Sequence, residues 1–316
     1  MLGAIAGDII GSRFERHNTS NPNFRFFTES STFTDDTVLT CAVAEALLKG
    51  SFYSEKIKEF AQAYPNRGYG PRFLRWVGSG APRNSKGNGA AMRVSPIGWY
   101  FDDLDNVIDE AEKSAKITHD TVEAVEGAKA IAVAVWMSRN FKPRVEIREY
   151  IEKELGYAFS MPTRNLRHHY KSGSLAGETV PIALQCFFEG WGFEDTIKKA
   201  VLVGGDTDTI ASMAGAVAHA YYGDCGFFDP DEIYSRIDDR MLGLVGRMEI
   251  LFNEKIKKMP NGKITYQLGR LRQYQFDCEL FEVAQDQYGT PGMVYGHEDE
   301  SGNLVIYDGH RLERKN

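Results

Sequence analysis

The chain has 316 residues, of which 42% are hydrophobic and 26% charged, a balance that gives a sizeable buried core without covalent staples. A formal charge of -7, with no Lys/Arg cluster longer than two outside the extreme C-terminus, argues against a nucleic-acid backbone as the main partner. Cys41, Cys186, Cys225 and Cys278 lack the paired spacing of zinc sites or disulfide frameworks, and read as reduced thiols of a cytoplasmic protein. The apolar start Met1 to Ala6 has no basic flank and is followed by Asp8, unlike a signal peptide, and no apolar run is long enough to span a bilayer.

Residues 2 to 12 have the pattern of a buried helix, with Gly3, Gly7 and Gly11 at four-residue spacing so that another backbone can approach closely. Asp8 within this row and Glu15 just past it bring two acids near that approach; on its own, Glu15 reads as a solvated loop charge beside Arg13 and Arg16. Residues 17 to 31, rich in Asn, Thr, Ser and Phe, read as a surface loop able to cover a site. Thr34-Asp35-Asp36-Thr37 then opens a helix that Lys49 and Gly50 end.

A helix over 52 to 64 stops at Pro65, and 66 to 86 read as a loop rich in Gly, Pro and Arg. It leads to Gly87-Asn88-Gly89, ahead of a buried helical run, where amides freed by glycine form an anion cradle or an ordinary tight turn. Amphipathic or buried helices are expected over 103 to 116, 122 to 137, 144 to 154 and 178 to 190, and 194 to 203 leads on to the glycine pair Gly204-Gly205. His119 introduces the second of these, while 157 to 176 read as a loop whose His168 and His169 lie on the surface.

Gly204-Gly205-Asp206-Thr207-Asp208-Thr209 opens a helix whose Ala211, Ala214, Gly215 and Ala218 form one small-residue face, fit for the centre of an all-α domain. One aspartate suffices to cap a helix; a second adds like-charge repulsion unless a cation lies between them. The chain carries two such Thr/Asp starts. If they face each other they supply about six oxygens, the donor set of a pair of hard divalent ions. A helix over 231 to 258 closes this part, and short β-type runs at 264–266, 274–276, 280–283, 292–295 and 304–307 follow. The expected organisation is a helical domain over 1–258 and a small β-rich appendage over 263–316.

In this order, Gly7-Asp8-Ile9-Ile10-Gly11, Phe33-Thr34-Asp35-Asp36-Thr37, Gly87-Asn88-Gly89-Ala90-Ala91-Met92-Arg93, Thr118-His119 and Gly204 to Thr209 resemble the ADP-ribosylglycohydrolase family over roughly residues 1 to 255. The resemblance implies an all-α fold around two Mg²⁺ or Mn²⁺ ions held by Thr34, Asp35, Asp36, Asp206, Asp208 and Thr209. It also implies ADP-ribose lined by Ser85, Gly87, Asn88, Gly89 and His119, with Thr207 added as a substrate contact. Glu15 stands seven residues after Asp8, the spacing of a glutamate at the metal site of members that cleave serine-linked ADP-ribose. The expected catalytic set is therefore Glu15, Asp35, Asp36 and Asp208. The function so implied is hydrolysis, by a monomer, of the glycosidic bond between ADP-ribose and a protein side chain, nucleic acid or small molecule. The alternative is a catalytically weak ADP-ribose-binding or immunity-type interaction protein of the same fold.

Overall fold

The computed structural model describes residues 1–80, 84–170, 173–223 and 230–257, together with the strand residues 296–298 and 304–306. Fourteen helices are found among them: α1 (Leu2–Gly11), α2 (Asp35–Lys49), α3 (Tyr53–Ala63), α4 (Pro71–Ser79), α5 (Ser95–Tyr100), α6 (Leu104–Lys116) and α7 (Val122–Arg139) in the first half of the chain. They continue with α8 (Arg144–Glu154), α9 (Thr163–His169), α10 (Ala176–Glu189), α11 (Phe193–Val203), α12 (Thr207–Tyr222), α13 (Pro230–Tyr234) and α14 (Asp239–Lys257).

Helix α12 is the axis of the helical part. Nearly every residue of it is buried, and α1, α7, α10 and α11 pack around it. Each aliphatic side chain withdrawn from water there, Ile210 or Val217 for instance, contributes about 1.5–3 kcal/mol. The glycine row of α1 lies directly against this helix: a Cβ built on Gly7 would stand 2.0 Å from the Ala211 carbonyl oxygen, and one on Gly11 2.4 Å from that of Thr207. Only glycine lets the two backbones come this close.

Local chemistry fixes the ends of these helices. Thr34 caps α2 by accepting from the Asp36 amide, and Gly50 ends it in the left-handed region at φ 63°. Thr121 and Asp103 cap α7 and α6 in the same manner.

Four readings of the chain change. Residues 71–79 form α4 rather than a loop, with Pro71 in the first turn and Gly80 in the left-handed region after it. Residues 163–169 form α9 within the stretch expected to be irregular, with His168 and His169 exposed on it. The run after Gly89 is a 3-10 turn over Asn88–Ala90 followed by the short α5, and the closing helix is broken into α13 and α14. Among the β-type runs, Leu304–Ile306 forms a strand (β2) that pairs antiparallel with Gly296–Glu298 (β1), His297 opposite Val305. The runs at 264–266, 274–276, 280–283 and 292–295, and the boundary between 258 and 263, lie outside the described residues.

Cys41 and Cys186 are free, buried thiols, while Cys225 and Cys278 lie outside the described residues. No helix among the described residues is long and apolar enough to cross a membrane.

Candidate metal centre and ligand cavity

The starts of α2 and α12 face each other. The Thr209 hydroxyl donates to Asp36 Oδ2 at 3.1 Å, joining residues far apart in sequence. Capping does not account for the acids in either helix. At α2 the cap is Thr34, which leaves Asp35 and Asp36 with no capping duty; at α12 the N-cap residue Asp206 makes no side-chain capping bond and instead accepts from Asn88 Nδ2 at 2.7 Å.

Beneath α2 lies Asp8, fully buried. Its carboxylate accepts from the Thr34 amide (2.9 Å) and hydroxyl (2.8 Å) and from the Thr37 amide (3.0 Å) and hydroxyl (2.5 Å). One oxygen each of Asp8, Asp36 and Asp208 come within 4.8 Å of one another, and so do those of Glu15, Asp206 and Asp208. Asp8 does not line the cavity, and its four donors make it the anchor of the α2 start.

This clustering is costly for a protein without a counter-ion. Burial, reinforced by Asp8, Asp35 and Asp206, raises the Asp36 carboxyl well above the usual range; burial together with Asp36 and Asp206 does the same to Asp208. Asp35 is pushed up to about 8 by burial and then by Asp8. Asp36 Oδ1 is buried and has no hydrogen-bond partner among the described residues. An orphaned carboxylate oxygen amid other oxygen donors fits the donor chemistry of a hard divalent cation.

A cavity of about 730 Å³ opens over these acids. Glu15, Thr34, Asp35, Asp36, Asp206, Asp208 and Thr209 line it on the acidic side, and Ser85, Gly87, Asn88, Gly89 and His119 on another. Glu15 follows the 3-10 turn Ser12–Phe14 that ends α1; partial burial and then Asp206 raise its carboxyl, which Arg16 partly opposes.

Hydrogen bonds to neighbouring segments hold the Ser85–Asn88 strip, two between backbones, Asn88 N to Ser174 O at 2.8 Å and Ala176 N to Lys86 O at 2.9 Å, and one from the Thr121 hydroxyl to Ser85 O at 3.2 Å. The Gly87 amide donates to Ser85 Oγ at 3.2 Å. The amides of Gly87 and Asn88 are thus engaged within the protein, so the anion cradle expected of them is not formed by these two groups. His119 packs its ring against Gly89, where a Cβ would stand 3.0 Å from Cε1.

Thr207 departs from its expected place. It is buried, is not among the cavity residues, and donates its hydroxyl to Gly11 O at 2.9 Å. It ties α12 to α1. The sequence also passed over Gly68, Arg72, Phe73 and Arg75, which form another wall, and Gly173 and Ser174.

The sequence model of the ADP-ribosylglycohydrolase family matches residues 1–258. ADP-ribosylhydrolase ARH3 of Homo sapiens is 27% identical over 310 residues, covering 71% of this chain and 84% of that protein. The Xenopus tropicalis ARH3 is equally 27% identical, over 303 residues, with 71% and 86% covered. An uncharacterised protein of Archaeoglobus fulgidus is 29% identical over 282 residues, with 76% of this chain and 90% of that one covered. A solved structure described as an ADP-ribosylglycohydrolase-related protein complex superposes with a TM-score of 0.61 at 23% identity, over 79% of this chain and 97% of its own, a likeness of fold. A family match over most of the chain, on a helical fold whose two acid-bearing helix starts converge on one cavity, shows that this protein belongs to the ADP-ribosylglycohydrolase family.

Proposed function

We propose that this protein is a metal-dependent hydrolase that cleaves the glycosidic bond between ADP-ribose and an acceptor, a protein side chain, nucleic acid or small molecule. The observation that carries the reading is the convergence of Thr34, Asp35 and Asp36 with Asp206, Asp208 and Thr209 on one cavity, with Asp36 Oδ1 buried and unpartnered. These six residues would hold two Mg²⁺ or Mn²⁺ ions. When bound, the ions supply Lewis-acid activation of a water and relieve the repulsion among the carboxylates.

The rest of the chemistry belongs to side chains. The aspartates place negative charge where an oxocarbenium-like transition state develops positive charge. Glu15, with its carboxyl raised, can hold a proton on its carboxylate and pass it to a departing oxygen, which favours an O-linked acceptor. Ser85, Gly87, Asn88, Gly89 and His119 bind the ADP-ribose. Asn88, bonded to Asp206, ties that wall of the cavity to the metal ligands.

The test is release of ADP-ribose from serine-, arginine- and nucleotide-linked substrates, with Mg²⁺ or Mn²⁺ and with a chelator. Metal-dependent release from at least one class is expected. No release from any of them in either metal, or release unaffected by chelation, overturns the reading.

A further inference from the structure

From the buried Arg93 to the cavity wall, where Thr118 and His119 both lie, three side chains form a hydrogen-bonded chain that no part of the hydrolytic mechanism accounts for. Arg93 is fully buried and donates from Nη2 to Ser114 O at 2.6 Å and to the Thr118 hydroxyl at 3.0 Å. Thr118 Oγ1 lies 2.6 Å from His119 Nδ1. His119 lines the cavity with its other nitrogen toward the Gly87–Gly89 turn: Nε2 would be 3.2 Å from a Cβ on Gly89 and 3.6 Å from one on Gly87.

The direction of the central bond follows from counting hydrogens. A hydroxyl has one proton to donate, and Thr118 is buried with no hydrogen-bond partner for Oγ1 among the described residues besides Arg93 and His119. Arg93 can only donate. If His119 Nδ1 also donated, two N–H groups would point at one oxygen and the Thr118 proton would have no acceptor among the described residues, a costly arrangement at a nearly buried hydroxyl. If Thr118 donates to Nδ1, the Thr118 proton and the Nδ1 lone pair satisfy each other and the ring proton must reside on Nε2; Arg93 Nε and Nη1 stay without partners among the described residues in either arrangement.

We propose that Arg93 and Thr118 are positioning residues that lock His119 as a neutral Nε2–H donor aimed into the cavity, where it selects an acceptor oxygen of the ligand, such as a phosphate oxygen or ribose hydroxyl of ADP-ribose. Burial, followed by the positive charge of Arg93, lowers the imidazole pKa to about 3, consistent with a ring that stays uncharged. A neutral donor of fixed direction rejects a ligand group that can only donate, because two N–H groups would then meet. The choice of ligand rests on the hydrolase reading above, but the tautomer does not.

Long-range proton–nitrogen NMR of the full chain near neutral pH, with His119 assigned by loss of its signals in His119→Asn, reads the tautomer directly. Ligand-free wild type should show a protonated Nε2 and an unprotonated Nδ1. Thr118→Val should lose this fixed pattern and bind ADP-ribose about tenfold more weakly. Thr118→Ser should restore both, whereas Arg93→Met should mix the tautomers; if it does not fold, wild type and the Thr118 pair still decide. A protonated Nδ1 or an imidazolium in wild type, or an unchanged pattern in Thr118→Val, overturns the proposal. A wild type with the expected tautomer that binds no ADP-ribose overturns the hydrolase reading and leaves the lock standing.

Discussion

Thr37 donates both its amide, at 3.0 Å, and its hydroxyl, at 2.5 Å, to the same oxygen of Asp8. With two more bonds from Thr34, the α1 carboxylate holds the first turn of α2 in the orientation that aims Asp35 and Asp36 into the cavity. Asp8→Asn keeps the shape but brings an NH₂ against these donors. Chemical unfolding should show a loss of about 2–4 kcal/mol, and titration a weakened affinity for Mn²⁺. A variant with wild-type stability and metal affinity would show that the anchor is dispensable.

Removing a carboxylate from the cluster should have opposite effects on stability and activity. Asp36→Asn relieves like-charge repulsion, so melting in chelator should occur at a higher temperature than for wild type. The rise in melting temperature on adding Mg²⁺ or Mn²⁺ should shrink or vanish, and ADP-ribose release should fall by at least about a hundredfold. A metal-induced rise equal to that of wild type counts against Asp36 as a ligand.

The raised carboxyls give the metal-free protein a definite pH response. Asp35, pushed up to about 8, is protonated in the fold over a range where the unfolded chain has already lost that proton. The folded state then binds more protons, so the contribution is intact below about pH 4 and is lost as pH rises toward 8. Melting temperature in chelator should decline from pH 5 to pH 8, and the increment from Mn²⁺ should grow over the same interval. Scanning fluorimetry at fixed ionic strength reads both, and a flat metal-free profile would contradict the coupling.

Glu15→Gln keeps size and hydrogen-bonding shape while removing the charge. ADP-ribose affinity should stay nearly intact, and hydrolysis of an O-linked substrate should drop by at least about a hundredfold. Equal turnover in the two proteins would return Glu15 to a solvated loop charge beside Arg16.

The contact between α1 and α12 leaves no room for even one methyl group. In Gly7→Ala the new Cβ would stand 2.0 Å from Ala211 O and 2.7 Å from Ser212 N, backbone atoms that cannot rotate away, so the helices must separate. Denaturant titration should show a loss of about 3 kcal/mol or more, and metal binding should weaken because the start of α12 moves. Gly70→Ala, where a Cβ meets nothing within 4 Å, is the control.

What could be read in advance was whatever is written in spacing or in paired chemistry. The four-residue glycine row pointed to the close helix pair, and the two Thr/Asp starts pointed to a shared acidic site, because both patterns repeat along the chain. Residues whose role depends on direction were harder. Thr207 lies between two cavity aspartates in sequence, yet about 100° of helical rotation per residue turns it toward Gly11 O instead. Asp8 was visible only as an acid near a glycine row; its four donors come from a segment some thirty residues away. Helix α4 was missed because the Gly, Pro and Arg of residues 66–86 hid its short amphipathic run of Phe73, Leu74, Trp76 and Val77, although Gly70-Pro71 and Gly80 mark its two ends. Helix α9 is short and carries a single half-buried aliphatic residue, Leu166, too little for a period to show.

The glycine seam has a further meaning for how such a protein can change. With backbones touching along α1 and α12, Asp8, Asp206 and Asp208 belong to a single block, and Glu15 hangs from its end. The opposite walls are assembled differently: α4 and the strips 84–88 and 173–175 are short pieces joined by a few backbone bonds. The cavity therefore has a chassis and a coachwork. Arg72, Phe73, Arg75 and Ser174 can be changed without touching the α1–α12 block, which makes those four positions the natural place to reshape the cavity in a designed variant.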